Sequence, residues 1–287
     1  MKPNLAETPD PKYPLTWPKY ASLKLDGIRG TTQVGTTLTR ASKLLPNQEM
    51  RESAAQVQGL DGEFIFGAPN APDVYHRTYS AVMTANAPAD GILYYVFDTL
   101  DRDLTFHQRY EKLKTLTLPY FCRVLPQTLV QSQAELDLYY QQVLEQGYEG
   151  LILRNPDAMY KEGRSTAKSQ DMLKLKPFLD SDALVLDVYE AMHNDNPAFI
   201  NELGYTDRST HQENLRASGM IGGFIVDFKG QTCRVAAGKL THHERTAIFE
   251  KPAIAIGKWL KFRHLPIGVK DAPRHARFIG WRSPLDL

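Results

Sequence analysis

The residue best suited to covalent chemistry is Lys24, in the stretch Ser22-Leu23-Lys24-Leu25-Asp26-Gly27-Ile28-Arg29. Its flanks are apolar and Asp26-Gly27 is a strong turn signal, so the pattern predicts that Lys24 ends a strand beginning at Tyr20 and faces a cleft. A lysine has an ordinary pKa of about 10.4 and becomes a nucleophile only after losing its proton. Burial or nearby cations lower that pKa, so a nucleophilic Lys24 requires further positive charge around it.

Other charged residues stand at the ends of predicted strands throughout the first part of the chain. They are Asp26, Arg29, Arg40, Asp61, Glu63, Asp98, Glu149, Lys174 and Lys176. Strand alternation places Asp61 with Glu63 on one face, and Lys174 with Lys176 on another. Each residue alone is explained as an ordinary charge at a strand edge, but the whole set is poorly explained in that way. Together they supply the cations and the metal-binding carboxylates that a reactive lysine needs.

The composition is typical of a globular protein, with 42% hydrophobic and 23% charged residues in 287. Cys122 and Cys233 lie far apart and form no metal-binding pattern, which favours a reducing compartment. We expect no signal peptide and no membrane span, because no apolar run is long enough. These features predict a cytoplasmic protein.

The element pattern predicts two domains, residues 1–178 and 179–287. The first is expected to have an irregular lead-in over residues 1–16, one strand over 31–39, and helices interspersed with further strands. Helices are predicted to start near Asn47, Val74, Thr105 and Ser132, the last two from capping-box patterns. The second has about five predicted strands and one helix over 241–250, which fits a small oligonucleotide-binding (OB) barrel. Its polar segment 192–218 is predicted to be an insertion.

The charged residues fall into motifs that resemble those of the covalent nucleotidyltransferases. Lys24-Leu25-Asp26-Gly27-Ile28-Arg29 is similar to their K-x-D-G-x-R signature. Four further stretches resemble their later motifs in the same order: Asp61-Gly62-Glu63, Tyr95-Val96-Phe97-Asp98, Glu149-Gly150-Leu151-Ile152-Leu153-Arg154 and Leu173-Lys174-Leu175-Lys176. The form of the Glu149 motif resembles that of ATP-dependent DNA ligases of the small bacteriophage type. K-x-D-G alone is a weak signal, whereas five motifs in order are a strong one.

This resemblance implies an α+β fold: a nucleotidyltransferase (adenylation) domain of antiparallel sheets with flanking helices, followed by a C-terminal OB-fold barrel. It implies that Lys24 takes AMP from ATP, that AMP passes to the 5′-phosphate of a nick in duplex DNA, and that the 3′-hydroxyl then displaces it. Only 23 residues precede Lys24, so we expect a minimal ligase with no preceding DNA-binding domain, acting as a monomer.

The resemblance also implies roles for individual residues. Lys24, Asp26, Lys174 and Lys176 are the expected catalytic residues, and the two later lysines should favour neutral Lys24 by repulsion. The nucleotide would be bound by Leu23, Lys24, Arg29, Glu63, Phe97, Glu149, Lys174 and Lys176, with Arg29 and Glu63 on the ribose and Phe97 stacked on adenine. Glu149 and Asp98 are expected to serve Mg²⁺, for which Mn²⁺ could substitute. Glu149 is the first choice of ligand, with Asp98 or Asp26 in its outer shell.

DNA is expected to bind through its phosphates. Arg40 resembles the arginine that contacts the nick phosphate, with Lys43 beside it. The C-terminal basic stretch supplies Lys258, Lys261, Arg263, Arg274, Arg277 and Arg282. The family's sixth motif, R-x-D-K, is not intact, and Arg274-His275-Ala276-Arg277-Phe278 resembles a variant of it. Which arginine replaces that motif stays open.

Two other functions remain possible from the sequence. An RNA ligase or a capping guanylyltransferase would use the same lysine, and the latter would require GTP instead of ATP. A non-catalytic OB-fold nucleic-acid-binding protein would explain the basic C-terminal stretch but not the residues around Lys24.

Overall fold

The computed structural model describes residues 1–265 and 273–283. The chain divides into two compact units, Met1–Lys176 and Pro177–Leu287. Each unit encloses its own buried apolar core. Among the helices in the described residues, none has both the length and the apolar character needed to cross a membrane.

The first unit contains eleven strands and four helices among its residues. The strands are β1 (Asn4–Leu5), β2 (Lys19–Leu23), β3 (Ile28–Gln33), β4 (Thr36–Thr39), β5 (Leu60–Phe66), β6 (Ile92–Thr99), β7 (Cys122–Val124), β8 (Thr128–Val130), β9 (Leu151–Arg154), β10 (Gly163–Arg164) and β11 (Met172–Leu175). The helices are α1 (Gln48–Ala54), α2 (Val74–Met83), α3 (Phe106–Thr115) and α4 (Gln133–Glu145).

Two main sheets organise this unit. One has the order β4-β3-β5-β6-β7, and the other has the order β11-β9-β2-β8. All pairs are antiparallel except β6 with β7. Two apolar clusters, one around Phe64 and Tyr94 and the other around Leu151 and Leu153, form the cores. The expected α+β fold of antiparallel sheets with flanking helices is confirmed.

Several local predictions change in the structure. The predicted strand over 31–39 is two strands, β3 and β4, because Val34 and Gly35 adopt positive φ angles of 52° and 71° in a tight turn. The predicted strand carrying Lys24 ends one residue earlier, at Leu23. Thr105 begins α3 with a complete capping box, as predicted. The box predicted at Ser132 is incomplete: the Ser132 side chain caps α4, but the Glu135 carboxylate accepts the backbone N–H of Gln131 instead of that of Ser132.

The lead-in is also more ordered than the prediction of irregular structure. β1 pairs in parallel with β10, and Glu7 forms a parallel β-bridge with Leu173 of β11. Polar backbone groups in this segment therefore find partners on the body of the unit, which a short polar stretch does not reveal by its pattern.

The second unit is a closed barrel with the strand order β12-β15-β16-β18-β17. These strands are β12 (Leu179–Asn194), β15 (Leu215–Phe228), β16 (Gln231–Ala236), β17 (Trp259–Leu265) and β18 (Arg274–Trp281). Helix α5 (His242–Glu250) starts from a capping box at Thr241. The five barrel strands and helix α5 found among the described residues confirm the expected OB-type barrel. The predicted insertion is partly regular: β12 and β15 extend into it, and β13 (Ala198–Ile200) pairs with β14 (Thr206–Arg208).

Candidate active site

Lys24 lies immediately after β2 and is fixed by the neighbouring strand β9. Its backbone N–H donates to the Gly150 carbonyl at 2.8 Å. Gly150 has φ +141°, and a Cβ atom at this position would lie 2.0 Å from the Leu175 carbonyl oxygen. Only glycine therefore allows the chain between Glu149 and β9 to approach β11 this closely. This close approach puts Lys24, Glu149 and the end of β11 side by side.

Glu149 forms ion pairs with both Lys24 and Lys176. Although burial acts to raise it, the two ammonium groups lower the pKa of the Glu149 carboxyl. Lys174 is partly buried nearby, and its pKa is lowered by burial and then by the repulsion of Arg164, Lys176 and Lys24, against an opposing effect of Glu7. The structure therefore brings the three predicted lysines together, and two of them share the Glu149 carboxylate.

These lysines line a cavity of about 620 Å³ in the first unit. Its walls also include the turn after Lys24, the Arg40–Lys43 loop, and residues of β5, β6, β9 and β11. The predicted residues that line it are Leu23, Lys24, Asp26, Arg29, Arg40, Lys43, Glu63, Phe97, Lys174 and Lys176. Glu149 lies behind the lysines rather than in the wall. The volume falls within the usual range for a small-molecule site.

Arg29 is held by a buried acid on the neighbouring strand β5. Its guanidinium donates to both carboxylate oxygens of Asp61, at 2.9 and 2.6 Å. The Tyr160 hydroxyl donates to the same carboxylate at 2.8 Å. Although burial of Arg29 acts to lower it, Asp61 raises the pKa of the guanidinium. Asp61 therefore orients Arg29 in the cavity wall, a function of the Asp-Gly-Glu motif that sequence reasoning did not assign.

Glu63 follows Asp61 on the same face of β5. Burial raises the pKa of Glu63 to about 7, although Lys24 and Arg29 oppose the change. The Glu63 carboxyl lines the cavity. Because its pKa lies near neutral pH, it can accept or donate a hydrogen bond there.

Asp98 does not have the position expected of a metal ligand. Its side chain is 0% exposed, and its carboxylate accepts from Arg109 at 2.7 and 3.2 Å and from Arg154 at 2.7 Å. Both oxygens are thus engaged by guanidinium groups that are themselves 1% and 2% exposed. The expectation that Asp98 ligates Mg²⁺ is corrected: it is the central anion of a buried network beside the cavity.

Phe97, next to Asp98, lines the cavity and also packs against a small apolar cluster that includes Leu25 and Leu125. Its ring lies 5.2 Å from the Arg29 guanidinium carbon and 5.3 Å from that of Arg154. Arg154 also lines the cavity, and its Nε and Nη2 atoms are buried without a hydrogen-bond partner among the described residues. Arg29 and Arg154 therefore both contact the aromatic ring that lines this side of the cavity.

The structure adds Arg164, a cavity residue that sequence reasoning missed. It lies in β10, within the polar segment between the fourth and fifth motifs, and lines the cavity together with Arg40 and Lys43. Burial, followed by the repulsion of Arg164 and Arg29, lowers the pKa of Arg40. This repulsion shows that several cations crowd one rim of the cavity, which is favourable for binding phosphates.

Two family models match the sequence that builds this fold and cavity. The ATP dependent DNA ligase domain matches residues 19–176, more than half of the chain, and the DNA ligase OB-like domain matches residues 214–282. The chain belongs to the ATP-dependent DNA ligase family.

Individual ligases are similar over much of their length. A DNA ligase of Haemophilus influenzae is 28% identical over 197 residues, 67% of this chain and 68% of the relative. The DNA ligase-adenylate of Chlorella virus is 28% identical, with a TM-score of 0.56 and 98% of both chains covered. A Lig E DNA ligase shares the fold with a TM-score of 0.77 at 24% identity, covering 98% of this chain and 99% of its own.

A magnesium ion of the kind expected in a ligase would find only part of its ligands in this protein. Among the described residues, no three His, Cys, Asp or Glu side chains form a group that could hold a metal. Mg²⁺ is commonly bound by one or two carboxylates together with waters and substrate phosphates. Glu149, 16% exposed beside Lys24, fits this pattern once its oxygens are released from Lys24 and Lys176, whereas the fully buried Asp98 does not.

Three of the six barrel residues expected to bind DNA in this ligase form ion pairs within the barrel. Lys261 and Arg263 both pair with Asp180, and Arg282 pairs with Asp182. The other three predicted residues keep their exposed positions: Lys258 lies over Trp281, Arg277 lies over Phe178, and Arg274 begins β18. Part of the charge of this surface is therefore neutralised within the barrel itself.

Proposed function

We propose that this protein seals nicks between a 5′-phosphate and a 3′-hydroxyl in duplex DNA, using ATP and a covalent lysyl-AMP intermediate on Lys24. The observation that carries the proposal is the pairing of Glu149 with Lys24 and Lys176. Both lysines line a cavity whose wall also includes Arg29, Glu63 and Phe97. The family membership supports the same reaction.

In the first step the Lys24 amine attacks the α-phosphorus of ATP. The N–P bond forms, the bond to the pyrophosphate oxygen breaks, and one amine proton must leave. In the free protein Lys24 is paired with Glu149, so the carboxylate has to release the ammonium group before attack. Lys174 and Lys176 stabilise charge on the transferring phosphate and repel a proton on Lys24.

The remaining cavity residues bind the nucleotide. Arg29, oriented by Asp61, and Glu63 hold the ribose, and Phe97 stacks on the adenine ring. Leu23 and Asp26 complete the wall on either side of Lys24. Mg²⁺ bound at Glu149 would neutralise phosphate charge, as in other phosphoryl transfers.

In the second and third steps AMP passes to the nick phosphate and is displaced by the 3′-hydroxyl. Arg40 and Arg164 line the same cavity and are the residues we assign to the nick phosphate. Lys43 and the exposed basic residues of the barrel would hold neighbouring phosphates without reading base sequence. We infer that the protein acts as a monomer in the cytoplasm.

A nick-sealing assay tests this proposal and separates its steps. Duplexes carrying one nick are incubated with ATP and Mg²⁺, and the joined strand is measured on a denaturing gel. Lys24→Ala should fail to join an ordinary nick but should join one whose 5′-phosphate already carries AMP, because lysine attack is needed only in the first step. Lys168→Ala removes an exposed lysine of the 155–170 segment and should behave like wild type.

Two results would contradict the proposal. Sealing of ordinary nicks by Lys24→Ala would show that another group carries the AMP. A strong preference for nicks in RNA over nicks in DNA would favour the RNA ligase alternative.

A further inference from the structure

Residues 3–7 form a strap that is hydrogen-bonded to two segments of the cavity wall. On one side, Gly163 and Ser165 donate backbone N–H groups to the carbonyls of Pro3 and Leu5, at 3.2 and 2.8 Å. On the other side, Glu7 donates to Met172 at 3.1 Å and accepts from Lys174 at 2.8 Å. The strap thus fixes the backbone around Arg164 and at Lys174.

The strap also contacts the Arg164 side chain directly. Arg164 Nη1 donates to the Ala6 carbonyl at 3.1 Å, and Arg164 Nε lies 3.9 Å from Glu7 Oε2. Leu5 and Ala6 themselves line the cavity. The Glu7 carboxylate therefore lies beside a cavity arginine and not on a remote surface.

Glu7 lies beside a group of cations at the cavity rim. Burial is the largest cause of the lowered pKa values of Arg40 and Lys174, and repulsion by Arg164 lowers both further. Glu7 acts in the opposite direction on Lys174. A carboxylate in this position relieves repulsion while the cavity holds no phosphate, and it competes with a phosphate for the same arginine.

We propose that Glu7 is an internal counter-ion that holds Arg164 at the cavity rim and releases it to the 5′-phosphate of the nick. This rests on the proposed function, in which Arg164 binds that phosphate. Glu7 is a positioning residue, since it acts through Arg164 and touches no reacting atom.

The test measures binding of the nick phosphate without catalysis. Nicked duplexes that carry either a 5′-phosphate or a 5′-hydroxyl are titrated with protein in EDTA, and fluorescence anisotropy gives both dissociation constants. Their ratio isolates the contribution of the phosphate from all other DNA contacts. Glu7→Gln should raise the preference for the phosphate about two- to fivefold, the size expected from removing one partly exposed ion pair.

A double-mutant cycle assigns the effect to Arg164. Arg164→Ala should lower the phosphate preference, and adding Glu7→Gln to Arg164→Ala should change it no further. Asp10→Asn removes another acid of the lead-in, whose carboxylate accepts a hydrogen bond from the Lys12 backbone N–H, and should leave the ratio at the wild-type value.

Three outcomes overturn the inference. An unchanged ratio in Glu7→Gln would show that Glu7 does not compete with phosphate, and an equal rise in the Arg164→Ala background would show that it acts elsewhere. A wild-type ratio of one would remove the phosphate role of Arg164 and therefore of Glu7. Adenylation of Lys24 is measured separately, so loss of this inference is distinguishable from loss of the ligase chemistry.

Discussion

Glu63 should make the stability of the folded protein depend on pH. Burial raises its pKa to about 7 in the folded state, against an ordinary value of 4.5. At about 1.36 kcal/mol for each pKa unit, this difference corresponds to at most about 3 kcal/mol. Because the folded-state pKa is raised, the contribution is fully present below pH 4.5 and is lost as the pH rises through 7.

The perturbation is Glu63→Gln, which keeps the shape of the side chain and removes the titrating group. Urea unfolding of wild type and variant is followed between pH 4.5 and 8.5. The free energy of unfolding of wild type, relative to the variant, should fall by up to about 3 kcal/mol across that range. Taking the difference cancels the other titrating groups.

Glu52→Gln, on the exposed side of α1, is the matched control and should run parallel to wild type at every pH. Parallel curves for Glu63→Gln as well would refute the reasoning, because Glu63 would then have the same pKa in the folded and unfolded chain. If the stability of wild type relative to the variant instead rose with pH, Lys24 and Arg29 would lower the Glu63 pKa by more than burial raises it.

Two substitutions test the supports of the site. Asp98→Ala should cost about 3–5 kcal/mol in urea unfolding, because it leaves the buried guanidinium groups of Arg109 and Arg154 without their shared anion. Gly150→Ala should abolish adenylation and lower stability, because the new Cβ atom would meet the Leu175 carbonyl.

Both substitutions have controls in the same unit. Asp103→Ala removes an exposed acid near α3 and should change the free energy of unfolding little. A loss of stability in Asp98→Ala no larger than that in Asp103→Ala would argue against the buried network. Gly35→Ala introduces a side chain at another positive φ angle but into open space, and it should keep adenylation. If Gly150→Ala also kept it, the close approach of β9 and β11 would not be what positions Lys24.

The sequence was sufficient to predict most of the residues that line the cavity with Lys24. Strand alternation predicted that Asp61 shares a face with Glu63, and Lys174 with Lys176. That these two faces line one cavity was implied by the family resemblance and not by the alternation, because the strands belong to different sheets. The barrel was also predictable, because its five strands and the capped helix α5 leave short-range patterns.

Long-range pairing explains what the sequence did not reveal. Asp98 was predicted as a metal ligand because an acid after a strand fits that role, and nothing near it indicates that Arg109 and Arg154 would occupy both oxygens. Arg164 lies in a polar segment without periodicity. The ordered lead-in depends on backbone bonds across more than 150 residues, such as that between Ser165 and Leu5.

The most direct test is the intact mass of the purified protein after incubation with Mg²⁺ and either ATP or GTP. Bound AMP is first removed with pyrophosphate, so that every adduct is formed in the assay. We predict a gain of one AMP from ATP, none from GTP, and no adduct in Lys24→Ala. An adduct that persists in Lys24→Ala, a GMP adduct, or no adduct in wild type would contradict the assignment of Lys24 as the nucleophile of an ATP-dependent ligase.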